Sequence, residues 1–230
     1  MRASAMDAGE LARMAGSYSA PCVELRNNRE EQAMFGDLAD PHTLFFHVRM
    51  FLGMIVSFCV VHLMRSYAGI LENKRHKPLY WVHQVWVVST FILLMHFWWW
   101  EVRFSLLPEW TFHVYLFIVS YALLIGLFCY ALLPDRLHEY GGYREYFYAH
   151  RKPLFGCLAL IYAVDFVDSY LKGTEFLQSL GPEYIARNAG YIVASLVAIF
   201  VANAVYHGVF ATAAILYQVS WIARMYERLQ

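Results

Sequence analysis

Long runs without a formal charge dominate this chain. No Asp, Glu, Lys or Arg occurs in residues 50–64, 79–100, 110–133, 154–164 or 188–223. A water-soluble domain is roughly a quarter charged, whereas here 16% of 230 residues are charged, 60% are hydrophobic and mean hydropathy is +0.40. Charges that cluster between apolar runs mark segments facing hydrocarbon, where an unpaired charge costs several kilocalories per mole. The pattern predicts an all-α polytopic membrane helix bundle.

Six spans are expected, at about 44–65, 79–100, 110–133, 154–171, 187–203 and 206–225. A helix rises ~1.5 Å per residue and the hydrocarbon core is ~30 Å thick. The uncharged stretch from Arg187 to Arg224 is too long for one span, so it divides into two helices at a tight turn over Asn203–Gly208. One long helix, giving five spans, is the alternative. Trp81 and Trp86 mark one end of the second span and Trp98, Trp99 and Trp100 the other, as aromatic belts do at membrane interfaces.

Residues 1–41 form a polar leader with seven acids and four arginines. Met6–Ser17 and Val23–Leu38 are expected as short helices, and Pro41 closes the leader. Residues 1–40 hold no apolar stretch long enough for a cleaved signal, so the first span is expected to insert uncleaved. Residues 42–230 are the bundle. Tyr143–His150, aromatic and charged together, is expected to lie as a short helix on the membrane surface. The links after spans one and three carry four Lys or Arg each, counting Arg65 with the first, against one and two for the links after spans two and four. The positive-inside bias places 66–78 and 135–152 in the cytoplasm and both termini outside.

The lipid bilayer is the expected partner, with a homo-oligomer or a membrane-complex subunit as a further one. Zero formal net charge argues against nucleic acid, which needs a basic face. Cys22, Cys59, Cys129 and Cys157 contain no CxxC pair, which argues against a disulfide framework or a thiolate zinc site. Gly53, Gly126 and Gly190 are candidate close-approach points but form no GxxxG pair.

Polar residues inside the spans fall at two depths. The outer layer holds His47, His96, Glu101, His113, Asp165 and Asp168, and the inner layer His62, Arg65, His83, Gln84 and Tyr130. Ionisable groups within spans mark pathways or relays. His62 and Arg65 share a helix face, as do Asp165 and Asp168. The paired carboxylates suit proton sharing or cation binding. A competing reading makes Asp168, Arg49 and Lys172 interfacial groups that reach for water, and single histidines packing residues with a hydrogen bond.

The function expected first is a small transporter or channel component for a proton, a cation or a small polar solute. A membrane redox protein with one haem or a metal on its histidines is the second reading. The spacing argues against two stacked haems, because at ~100° per residue His83 and His96 point ~140° apart. A structural or sensory subunit is the third. The chain lacks the P-loop, HExxH and GxSxG motifs of common enzyme classes, so an enzyme is the less expected outcome.

His62-Leu-Met-Arg65, the basic link after it, Trp81-x-His83-x-x-Trp86, Phe97-Trp98-Trp99, Leu133-Pro134 and His150-Arg151 before Asp165 together resemble a group of small bacterial multi-span membrane proteins without an assigned activity. The resemblance covers about residues 50–170. It implies a bacterial inner membrane and no particular chemistry.

Overall fold

A computed structural model describes residues 40–72, 78–133 and 140–227. The two leader helices expected before Pro41 lie outside the described residues. Seven α-helices follow in order: α1 Pro41–Glu72, α2 Trp81–Trp100, α3 Phe112–Leu132, α4 Tyr143–Leu171, α5 Thr174–Ser179, α6 Gly181–Phe200 and α7 Ala204–Glu227, with a 3-10 helix Glu101–Leu106 continuing α2. No strand occurs among the described residues.

Local chemistry sets most helix ends. The Asp40 carboxylate accepts a hydrogen bond from Thr43 N at 3.0 Å, with Pro41 in the first helical position, where its missing N–H costs nothing. Pro41 therefore opens α1 as well as closing the leader. Thr111 caps α3 through Val114 N. Asn203 Oδ1 accepts from Val205 N at 2.7 Å and starts α7. Gly173, at φ 118°, and Gly181, at φ 72°, occupy backbone conformations that disfavour side chains and fold the chain around α5.

Some boundaries differ from expectation. α1 runs on to Glu72 rather than stopping near Arg65. No proline occurs between Pro41 and Pro78, so no helix-incompatible residue interrupts it. Its 32 residues make a rod of ~48 Å at ~1.5 Å per residue, longer than a hydrocarbon core. Tyr143–His150 is not a separate surface helix. It forms the first two turns of α4, which passes through Pro153 unbroken. Tyr143, Tyr146 and Phe147 are buried, and Phe147 packs edge-on against Tyr80, Phe155 and His207, so core packing outweighs the proline. The segment after Arg187 is two helices as expected, but they part at 201–203 rather than over Asn203–Gly208, since Asn203 caps α7 and residues 204–208 already belong to it.

Contacts between helix ends fix the directions. The ends of α1 and α3 meet the starts of α2 and α4, and the end of α6 meets the start of α4 and α7. Thus α1, α3 and α6 run one way and α2, α4 and α7 the other. Leu52, Leu63, Leu94, Ile125, Phe128 and Phe155 are among the fully enclosed core residues, while Phe58, Val61, Leu123, Phe200 and Val205 point outward and stay exposed. Four helical stretches, Pro41–Ile70, Trp81–Leu106, Phe112–Leu132 and Tyr143–Leu171, are long and apolar enough to cross a membrane. For a helix in lipid, an outward apolar surface is solvated by acyl chains and its backbone bonds are internal.

Candidate functional site

The end of the bundle that holds α1, α3 and α6 carboxyl termini gathers the inner residues around two free carbonyls. His83, fully buried, places Nε2 at 2.7 Å from Leu132 O. His62 Nε2 lies 3.1 Å from Leu133 O and its ring stacks on Tyr130 at 3.9 Å. Gln84 Nε2 lies 3.3 Å from His83 Nδ1. The last carbonyls of a helix have no partner within it, and a histidine N–H is one of the groups that satisfies them. Arg65 is not part of this arrangement: it is exposed, on the far side of its helix from Leu63, which is enclosed. The inner residues therefore act on the backbone end of α3, with His62 and His83 as its caps.

A third histidine repeats the device. His207 Nε2 sits 2.8 Å from Val201 O at the end of α6, inside a ring of Phe147, Tyr148, Phe155 and Tyr206. From sequence it was only part of the expected turn at Asn203–Gly208. The signal was available: a histidine a few residues beyond the last turn of a helix, where the final carbonyls lack partners within it.

The opposite end carries a charged network. Asp165, on α4, is the hub. Arg187 Nη2 donates to its carboxylate at 3.1 Å and Asn188 Nδ2 at 2.7 Å. The Tyr184 hydroxyl lies 2.8 Å from the same carboxylate and 2.8 Å from Ser169 Oγ, and the Tyr121 hydroxyl lies 3.5 Å from its other oxygen. The Arg187 guanidinium also rests on the Trp221 ring, 4.7 Å from its centroid. One turn along α4, Asp168 pairs with Lys172, whose Nζ also donates to Glu101 Oε1 at 3.0 Å. Lys172 lies against the rings of Trp100 and Phe104. The α4 acids and Lys172 share a face because they are spaced three and four apart.

Burial corrects the interfacial reading of Asp168 and Lys172. Their side chains have no exposed surface, so neither reaches water; the 3-10 helix and its Phe104, itself 1% exposed, cover them. Arg49 places its guanidinium 4.9 Å from the Trp98 ring centroid.

The outer residues divide. His96, Asp165, Arg187, Tyr191 and Gln218 line one cavity of ≈ 30 Å³ between α2, α4, α6 and α7, which is room for about two waters. Glu101 and Asp168 sit beside it, joined through Lys172. His47 and His113 are exposed and take no part. Arg187, Asn188, Tyr184 and Gln218 are the contributors the sequence pattern did not single out. Arg187 counted there only as a loop charge. The i, i+4 spacing of Asp168 and Lys172 was the one signal pointing to their pairing.

Among the described residues no group of three His, Cys, Asp or Glu is arranged to hold a metal ion. Each of His62, His83 and His207 has one ring nitrogen engaged with a backbone carbonyl.

Fold and site together define an all-helical protein with four helices able to cross a membrane and a charged network enclosed at one end. Compared with known proteins, the chain matches no family model, no curated protein and no solved structure.

Proposed function

We propose that this chain is a six-span inner-membrane protein that moves a proton, a cation or a small polar solute through the cavity at the outer end of the bundle. In this reading α6 and α7 are the fifth and sixth spans. The observation that carries it is the cavity itself. An Asp165–Arg187 ion pair, His96 and Gln218 face a space for water inside helices that are otherwise apolar. Ionisable groups are expensive there and belong to substrate or ion pathways by default. A carboxylate already held by four donors is poised to exchange one of them, Arg187, for a proton or a cation. Tyr121, Tyr184 and Asn188 would hold Asp165 in place during that exchange.

Reconstitution tests the reading. Purified protein in liposomes, with a pH-sensitive dye inside and an imposed potential, is expected to pass protons or monovalent cations faster than protein-free vesicles. His96→Ala and Asp165→Asn are each expected to reduce the flux at least tenfold. Equal flux in vesicles with wild-type protein, with Asp165→Asn and with no protein, across protons, sodium, potassium and small polar solutes, would leave a structural or sensory subunit as the function.

A further inference from the structure

The charges around Lys172 do not balance. Glu101, at the start of the 3-10 helix, and Asp168, on α4, both reach the same ammonium, and the three side chains are at most 4% exposed. Two carboxylates against one cation leave a formal excess of one negative charge. The neighbouring charged pair is already neutral within itself: Asp165 takes Arg187. Arg103, on the 3-10 helix, lies over the Phe176 ring and is exposed. The elements packed around the network also carry His96 on α2, Tyr121 on α3, Tyr184 on α6, Arg49 on α1 and Glu175 on α5.

Hydrogen bonding shows a second shortfall. Glu101 Oε2 and Asp168 Oδ1 are buried without a hydrogen-bond partner of ordinary geometry; the buried indole N–H of Trp100, likewise unpaired, is within reach of the Asp168 carboxylate only as a weak further donor. An ionised carboxylate only accepts, so two of them with a single ammonium leave acceptors unmet; a protonated carboxyl adds a donor. An uncompensated buried charge costs several kilocalories per mole, and the group takes up a proton instead. Two carboxylates that share a site cannot both ionise without penalty.

We propose that Glu101, Asp168 and Lys172 form a proton-binding site that holds one proton at neutral pH, shared between the two carboxyl groups, with Lys172 charged. The proton comes from solvent and converts one carboxylate to a carboxylic acid, so the triad is neutral overall. The site is separate from the cavity at His96 and Asp165, and its charge count is the same whether or not that cavity conducts.

Infrared spectroscopy of the purified full chain in detergent at pH 7 tests it. The carbonyl stretch of a protonated carboxyl group is expected, shifting in D₂O, lost in Glu101→Gln/Asp168→Asn and kept in Asp165→Asn. Its absence from the wild type overturns the proposal, as does its survival in the double variant. A second readout covers a double variant that fails to fold. The folded wild type holds one proton more than the unfolded chain near neutrality. Its unfolding constant in mixed micelles should therefore rise about tenfold per pH unit more steeply than that of Glu101→Gln, whose amide stands in for the protonated acid. Parallel pH profiles overturn the proposal. Should Glu101→Gln also fail to fold, the wild-type spectrum decides alone. Loss of flux in the liposome assay bears only on the cavity, so the two readings fail separately.

Discussion

His83 Nε2 lies 2.7 Å from the carbonyl oxygen of Leu132, across the junction of α2 and α3. That contact satisfies a carbonyl that the end of α3 leaves open, at a residue with no exposure. His83→Ala is expected to leave the Leu132 carbonyl buried without a donor, at a cost of about 1–3 kcal/mol. Arg65→Ala, on the exposed side of α1, is expected to change stability by about 0.5 kcal/mol or less. Unfolding in mixed micelles measures both. Equal stability of the two variants would remove the capping role.

Asp165 and Arg187 form the other decisive pair. Both side chains are about nine-tenths buried, so removing one partner strands the other. Asp165→Leu and Arg187→Met are each expected to destabilise by about 3–5 kcal/mol, while the double variant loses clearly less than the sum, since no charge is then unpaired. Additive losses in a double-mutant cycle would show that the contact contributes little. The same cycle with His96→Ala and Asp165→Asn reads the cavity as a unit.

Much of this arrangement was legible in the chain. Uncharged runs located α1, α2, α3, α4, α6 and α7, because a charge in lipid is costly and length in apolar residues maps onto span length. Depth along each run located the two polar layers. Direction around each helix was less accessible. His47 and His113 share a depth with His96 yet face outward, and Arg65 faces away although His62, three residues earlier, turns inward. Facing depends on which helices become neighbours, and that is a tertiary fact. The surface-helix expectation for Tyr143–His150 failed for a related reason: the aromatic contacts of Tyr143, Tyr146 and Phe147 with other helices hold these turns in line with the rest of α4, through Pro153. The 3-10 helix that covers Lys172 left no periodic signal in its six residues, so the burial of that lysine was hidden too.

Long polar side chains, rather than close packing, join α6 to α7. The Tyr191 hydroxyl donates to Ala214 O at 2.7 Å and the Tyr206 hydroxyl to Ala194 O at 2.6 Å. Ala186, Gly190, Ala194 and Ala213 line an open apolar groove alongside them. Tyr191→Phe is expected to cost about 1 kcal/mol, the net worth of one hydrogen bond. Glu183→Gln should cost less, because the ion pair of Glu183 with Arg224 is half exposed and water screens it. A larger loss from Glu183→Gln than from Tyr191→Phe, by chemical unfolding, would reverse the order of importance.

Orientation yields the last prediction. The ends of α1 and α3 and the starts of α2 and α4 meet at His62, His83 and Tyr143, so the two basic links emerge on one side of the bundle. Arg144, Arg151 and Lys152 belong to that side, and Arg144 and Lys152 are exposed there. Positive residues near span ends are retained in the cytoplasm, so this face should lie inside. A single cysteine at 144, in a chain whose own four cysteines are replaced, is expected to react with a membrane-impermeant maleimide only after the cells are opened. A cysteine at 113, exposed at the other end, should react in intact cells. The replacements at Cys59 and Cys129 should be alanine, because both are buried and a Cβ at Gly126 would already lie 3.3 Å from Cys59 Sγ. Labelling at 144 in intact cells, with protection at 113, would invert the bundle and place the charged network at the cytoplasmic face.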